Sequence, residues 1–323
     1  MKKGLHVVLI LCFLLFVAGA IILVIGLARG GKMFFTIDYF NHKVNTSGTV
    51  KMIEGDKELS EFNSLDIDVN AAEVRVVEGD GYKVKYALYE DNEPTIGVED
   101  KTLKISTSIN SNTFSFELFG NNAEENKSPY IEITVPAGTK FENAEISTNA
   151  GDIKLDGYDI TTLFIESNAG SADLSNLSVA TLNIDVDYGQ VDIDDIEADE
   201  LKIKSNAGSA DITGLTAESA DVDMNCGGLD ISSSEIDSLT AKLNLGNAKV
   251  DETRIDKVDI DTNAGNVDLK MIGEEADYYI DVDVSAGDFM LNGKKQESNY
   301  SANSGKERSI KVESDAGSVS IDF

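Results

Sequence analysis

The chain has 323 residues, of which 58 are acidic and 27 are basic, and its formal net charge is −31. A surface this acidic repels phosphates, so nucleic acid is excluded as a natural partner and anionic lipid headgroups are poor ones. Cations and basic peptides fit it better, although the same charge can serve solubility alone.

The first predicted element is an apolar run from Leu5 to Ala28, which is long enough to cross a bilayer as a helix. A cleaved signal peptide is the alternative, with Ala18-Gly19-Ala20 as its cleavage site, but the apolar run continues past that site. We favour residues 1–28 as a cytoplasmic tip and single-pass transmembrane anchor. Either interpretation places the rest of the chain outside the cytoplasm.

Residues 29–60 are polar and unpatterned, which predicts a stalk or linker before a domain at residues 61–323. Within that domain, residues 77–140 contain short strand-like runs and all three prolines. We interpret them as an irregular β insert that caps an open end. Residues 292–309 form a second, loop-like excursion.

A nineteen-residue repeat fills the centre of the domain. Its motif is Asn-Ala-Gly or a close variant, and the repeat glycines are Gly151, Gly170, Gly189, Gly208, Gly227, Gly246 and Gly265. A fixed short period is typical of solenoids, in which each unit buries apolar side chains against its neighbours. We number the positions of each repeat from its glycine, which is position 0.

Apolar or small residues occupy positions −7, −5, −3 and −1, and then +2, +4 and often +7. This period of two predicts β-strands, and the change of phase at the glycine predicts a bend there. Asn at position −2 and Gly at position 0 also suit a bend, because both tolerate positive φ. The same template fits around Ala72, Gly287 and Gly317. The sequence therefore predicts an all-β fold, a single-stranded parallel β-solenoid of about ten coils.

Position −1 is usually Ala, but Tyr188, Cys226 and Leu245 occupy it in the middle repeats. Because the template assigns this position to the core, we expect a wider core there and interpret Cys226 as a small buried apolar residue. The other cysteine, Cys12, lies in the apolar N-terminal run. No disulfide is therefore expected to brace the solenoid.

Two polar positions test whether the repeats stack. Stacking predicts an asparagine ladder at position −2, which is filled by Asn149, Asn168, Asn206, Asn225, Asn244 and Asn263. Position −4 alternates in charge through Asp185, Lys204, Asp223, Lys242 and Asp261. Opposite charges on neighbouring strands favour parallel pairing, so both patterns support stacking.

Position +3 supplies the one candidate metal site, a file of like charges at Asp173, Asp192, Asp211 and Asp230. Carboxylates roughly 5 Å apart either raise their own pKa values or recruit a cation such as Ca²⁺. The alternative is a solvated acidic face, and the Gly-rich calcium motif of β-rolls does not occur in the sequence.

One basic patch is predicted in the second excursion, at Lys294, Lys295, Lys306 and Arg308. It fits either an anionic wall polymer or partner protein, or a solvated loop.

No catalytic motif was found. The two histidines, His6 and His42, precede the repeats, so the solenoid's own residues cannot form a Ser-His-Asp or Cys-His arrangement. Paired carboxylates are too common here to indicate a glycosidase. We therefore expect no enzymatic activity and no cofactor, with a polysaccharide-active β-helix enzyme as the least favoured alternative.

The runs from Ala144 to Leu155 and from Leu163 to Leu174, with the lead-in from Ile131 to Gly138, resemble the bacterial DUF4097 family of "putative adhesins". The resemblance covers about Leu65 to the C-terminus. It implies a right-handed parallel β-solenoid on the outer side of a Gram-positive-type membrane. It carries no catalytic motif, and it leaves two functions open. One is an adhesin-like scaffold, and the other is a cell-envelope stress accessory that binds cationic peptides or a membrane signalling partner.

Overall fold

The structure is a computed structural model that describes residues 34–38, 43–45, 52–90, 92–107, 113–117 and 128–323. These residues are nearly all β, with one short 3-10 turn at Glu275–Asp277. No helix among them has the length and apolarity needed to cross a membrane, and the anchor predicted at residues 1–28 lies outside them.

The strands fall into three groups along the chain. The first group is β1 (Phe34–Asp38), β2 (Lys43–Asn45), β3 (Met52–Glu58), β4 (Ser64–Ala71), β5 (Glu73–Glu78), β6 (Lys83–Tyr89), β7 (Pro94–Glu99), β8 (Thr102–Thr107), β9 (Thr113–Glu117) and β10 (Tyr130–Val135). The repeats form β11 (Lys140–Ala150), β12 (Ile153–Asp156), β13 (Asp159–Ala169), β14 (Ala172–Ser175), β15 (Ser178–Asp194), β16 (Glu197–Thr213), β17 (Thr216–Cys226), β18 (Leu229–Ser232), β19 (Glu235–Leu245), β20 (Ala248–Ala264) and β21 (Val267–Met271). The last group is β22 (Tyr278–Val284), β23 (Phe289–Leu291), β24 (Lys294–Lys295), β25 (Asn299–Ala302), β26 (Arg308–Ala316) and β27 (Val319–Asp322).

The chain divides into two compact units. The smaller comprises residues 1–51 and 109–127, and its described strands form an antiparallel sheet in the order β2-β1-β9. The larger comprises residues 52–108 and 128–323, and its strands form one continuous, mainly parallel sheet.

Residues nineteen apart lie side by side throughout the repeats, as the sequence predicted. Leu163 pairs with Leu182 and Leu182 with Leu201, on β13, β15 and β16. All three are buried, as are the residues at positions −5 and +4, because strand alternation points them into the coil. The predicted parallel, solenoid-like stacking is therefore confirmed.

The repeat glycines are required by close contact between coils. Gly170 has φ 154°, and a β-carbon on it would overlap the carbonyl oxygen of Gly151. Gly208 lies outside the left-handed region, yet its β-carbon would overlap the carbonyl oxygen of Gly189 in the same way. Only glycine lets successive bends approach this closely.

A second bend lies at position +6, and the sequence template missed it. Its residues have φ of about 50–80° and include Gly157, Asn176, Asp195, Gly214, Ser233 and Glu252. The left-handed conformation turns the chain between the strand after the glycine and the next coil. The −2 asparagines are absent from the positive-φ residues, so the expectation that they adopt such angles at the glycine bend was wrong.

The prediction for position −1 was also wrong. Tyr188 is 65 % exposed and Leu245 is 54 % exposed, and Cys226 is an exposed free thiol instead of a buried apolar residue. The strand leaves its regular alternation just before the bend, so positions −2 and −1 both face outward. The core is therefore not widened at these coils.

Strands of the first group extend the sheet beyond the Ala72 bend. β8 pairs in parallel with β4, and β10 pairs in parallel with β5. On their other edges, β8 pairs with antiparallel β7 and β10 pairs with antiparallel β6. β3, which lies in the segment expected to be a stalk, adds a further antiparallel strand on β6.

At the other end, the order of strands in space departs from the order in the chain. β26, near the C-terminus, lies between β20 and β22, and β27 likewise lies between β21 and β23. The bends therefore stack in the order Gly265, Gly317, Gly287. Antiparallel β25 and β24, from the 292–309 excursion, pair with β22 and β23.

Candidate functional site

The outward side chains after the repeat glycines form an acidic row. The four predicted residues, Asp173, Asp192, Asp211 and Asp230, occupy consecutive rungs on β14, β15, β16 and β18. They project outward because the flanking +2 and +4 positions point into the core. The structure thus brings all four predicted acidic residues together on one face.

A cation stands at each end of the row. Lys154 precedes Asp173 and contacts Glu73 at 3.1 Å, and this hydrogen bond with Glu73 raises the pKa of Lys154. Lys249 follows Asp230 and contacts it at 3.3 Å. The four like charges are therefore bounded by basic groups. In the sequence, Lys154 and Lys249 occupy the same position +3 in the repeats of Gly151 and Gly246.

Gln190 sits beside the centre of the row, and sequence reasoning missed it. Its Nε2 amide donates to Asp192 at 2.6 Å and to Asp211 at 2.7 Å. Partial burial and the neighbouring Asp173 and Asp211 raise the pKa of Asp192, although the Gln190 hydrogen bond opposes the increase. At Asp192 the neighbouring carboxylates thus add to the effect of burial.

The row lies in an open groove. One cavity of about 680 Å³ extends from Arg75 and Lys154 to Asp211, and a second of about 430 Å³ continues from Asp211 to Lys249 and Glu252. Within the part of the chain that the structure describes, no three acidic, Cys or His side chains are grouped closely enough to hold a metal ion. The groove presents a line of four carboxylates along one face of the sheet.

Comparison with known proteins decides the family. The model of the family described as Toastrack DUF4097 matches residues 62–322. The chain belongs to the DUF4097 family. The match begins at Phe62, just before β4, and ends at Asp322, the last residue of β27.

Several solved structures resemble this DUF4097 chain at low identity. A "putative adhesin" from Bacteroides fragilis NCTC 9343 has 15% identity and a TM-score of 0.46, covering 85% of this chain and 98% of that one. A "putative lipid binding protein" from Parabacteroides distasonis ATCC 8503 has 11% identity and a TM-score of 0.41, covering 86% and 98%. No curated protein matches. At such identities and scores, these names carry no functional argument.

The predicted basic patch of this DUF4097 domain is partly neutralised. Arg308 contacts Asp256 at 2.9 Å and stacks on the Tyr278 ring at 5.8 Å. Lys295 contacts Asp288 at 2.5 Å. Two of the four basic groups thus pair with acidic residues of the domain itself, which reduces the positive potential left for an anionic polymer. His6 and His42 lie outside the described residues.

Proposed function

We propose that this chain is a single-pass, membrane-anchored, extracytoplasmic scaffold with an adhesin-like, non-enzymatic role. The family resemblance implies a right-handed solenoid. One observation supports the proposal above others: equivalent outward residues of successive coils lie in register. Such stacking displays regular rows of side chains on successive coils, which suits contact with an extended partner.

Location is tested with single-cysteine variants of the full chain that lack Cys12 and Cys226. Exposed Glu218→Cys should react with a membrane-impermeant maleimide on intact cells. Lys2→Cys should react only after the cells are permeabilised. Labelling of Glu218→Cys only after permeabilisation would contradict an extracytoplasmic domain, and loss of residues 1–20 from the mature chain would establish cleavage instead of an anchor.

The scaffold role is tested by adherence of cells that carry or lack the protein to isolated wall polymer and to partner cells. We expect adherence to fall on deletion and to return with the wild-type chain. Release of reducing sugar from wall glycan by the purified chain would contradict the non-enzymatic assignment.

A second function, binding of cationic peptides in envelope stress, is favoured by the acidic groove. Four carboxylates in consecutive rungs attract an extended polycation, and the flanking Lys154 and Lys249 limit the length of chain that fits. Replacing the four aspartates with Asn should weaken binding of a polylysine probe and reduce its salt dependence. Equal peptide susceptibility of the deletion strain and of the complemented strain would remove this function.

A further inference from the structure

One sheet face carries balanced charge on an otherwise acidic chain. It consists of the outward side chains at positions −6, −4 and −1 in the four coils from Gly189 to Gly246, on β15, β16, β17 and β19, and we call it the balanced face. Its charged residues are Asp185, Lys202, Lys204, Asp221, Asp223 and Lys242. Three are acidic and three basic, and Asp187 at position −2 of the same coils adds a fourth carboxylate, whereas the whole chain has 58 acidic and 27 basic residues.

These six charged side chains are available to a partner. In the part of the chain that is described, none of them has an opposite charge within 4.0 Å, although oppositely charged residues occupy neighbouring rungs. All six are exposed or half-exposed. At the edge of the same face, Tyr188 and Leu245 leave most of their apolar surface in water.

We propose that the balanced face binds the balanced face of a second copy of this chain. The two copies pack face to face about a two-fold axis that runs along the strand direction, midway between the Gly208 and Gly227 coils. This rotation reverses the order of the coils and keeps each position opposite the same position. Every facing pair can therefore be read from the observed register.

At position −4, all four facing pairs have opposite charge. Asp185 faces Lys242 of the second copy, and Lys204 faces Asp223 of the second copy, and the symmetry repeats both pairs. A two-fold axis along the stacking direction, through position −4, would keep the order of the coils and place Asp185 against itself. A shift of one coil would place Asp185 against Asp223 or Asp261. Charge complementarity therefore selects this register.

The remaining positions agree with the same axis. At position −6, Lys202 faces Asp221 of the second copy. At position −1, Tyr188 faces Leu245 of the second copy, so the two large exposed apolar residues of the face cover each other. At position −2, Asp187 faces Asn244, which avoids a second carboxylate.

The size of the face determines the strength of the contact. Four rungs at about 4.8 Å and six residues at about 3.3 Å give a footprint of about 400 Å² per copy. A standard stable interface buries about 800 Å² per partner. The dimer is therefore reversible, with a dissociation constant of roughly micromolar or weaker, and it weakens as salt screens the facing charges.

The test is a charge swap between Asp185 and Lys242 in the full chain. These residues lie three coils apart in one copy, about 14 Å, so their effects on the monomer should add. They meet only across the proposed interface. Analytical ultracentrifugation at low salt should show the dissociation constant rising about 5- to 30-fold for Asp185→Lys and for Lys242→Asp, and recovering in the double variant. Asp237→Lys, an equal charge change outside the balanced face, is the matched control.

Tyr188→Glu provides an independent readout, because this exposed side chain can change without disturbing the core. We expect it to abolish the dimer while thermal unfolding of the monomer stays unchanged. The proposal is overturned if the wild-type chain stays monomeric at about 0.5 mM. It is also overturned if the effects of the two charge reversals on the dissociation constant merely add in the double variant. Dimerisation of Tyr188→Glu at the wild-type dissociation constant would overturn it as well.

Discussion

The Nδ2 amide of Asn168 donates a 2.6 Å hydrogen bond to Oδ1 of Asn149, although nineteen residues separate them. Asn225 donates in the same way to Asn206 at 2.8 Å. An amide carries both a donor and an acceptor, so one residue type can link every rung, whereas a carboxylate can only accept. Position −2 is thus filled by Asn because of its neighbours above and below, and not because of its own backbone angle.

Gly227→Ala should severely destabilise the fold. A β-carbon there would overlap the backbone carbonyl of Gly208, which cannot move without displacing the next coil. We expect the free energy of unfolding to fall by about 3 kcal/mol or more, measured by urea denaturation. Gly97→Ala is the control, because no atom lies within 4 Å of the added carbon, and its effect should stay within about 1 kcal/mol. A small effect at Gly227 would mean that the coils are spaced more widely than described.

Glu252→Gly should stabilise the protein. Glu252 adopts φ 48° at the second bend, where a side chain costs about 1–2 kcal/mol and glycine adopts the angle freely. Glycine's greater freedom in the unfolded chain offsets about 0.4–1 kcal/mol of this gain. We therefore expect a net increase of about 0.5–1 kcal/mol in urea denaturation. The converse change, Gly157→Glu at the same position of another repeat, should be destabilising. If both variants changed the free energy of unfolding in the same direction, the argument would be refuted.

Asp192→Asn should raise the melting temperature at neutral pH. Burial and the adjacent carboxylates raise the pKa of Asp192 in the folded state, so the native protein binds its proton more tightly than the unfolded chain does. The charged form therefore costs stability above the folded pKa, and this cost disappears as the pH falls below the ordinary Asp pKa of about 3.9.

The expected melting advantage of Asp192→Asn is thus greatest near pH 7 and shrinks towards pH 4. Asn can still accept the hydrogen bond from Gln190, so packing should be preserved. Asp237→Asn serves as a control for simple reduction of net charge. An advantage that did not depend on pH would contradict the stated cause.

Tyr158→Phe should be neutral or stabilising. The Tyr158 hydroxyl is buried without a hydrogen-bond partner, and burial, with Glu78 and Asp156 nearby, raises its pKa to about 12. Removing an unsatisfied hydroxyl recovers about 1–3 kcal/mol of desolvation cost, while the ring keeps its contact with Phe141. Chemical denaturation gives the stability, and a loss above about 1 kcal/mol would indicate that the hydroxyl has a partner. Spectrophotometric titration should lose one tyrosine that ionises near pH 12.

The repeat alone predicted the stacked register, the asparagine ladder and the alignment of the acidic row, because a fixed period places equivalent residues side by side. It did not predict that Tyr188 and Leu245 face outward, because apolar identity does not give direction once a strand leaves its alternation. The second bend had a readable signal in Gly157 and Gly214, which lie three repeats apart. The bridging role of Gln190 was missed because one of its two partners, Asp211, becomes a neighbour only after stacking.

The location of β26 and β27 was also beyond a local pattern. Each strand carries the expected alternation, as Ile310 and Val312 show, but nothing in that alternation states which neighbours it will have. Strand order is a property of the whole chain.

That order affects how the protein can fold. Assembly can advance rung by rung from the N-terminal side only as far as β20 and β21. β22 and β23 have no parallel neighbours until residues 308–323 insert between them and the strands β20 and β21. Residues 308–323 thus join the two parts of the sheet. A chain truncated before them would leave unpaired edges on β20 and β21 and on β22 and β23.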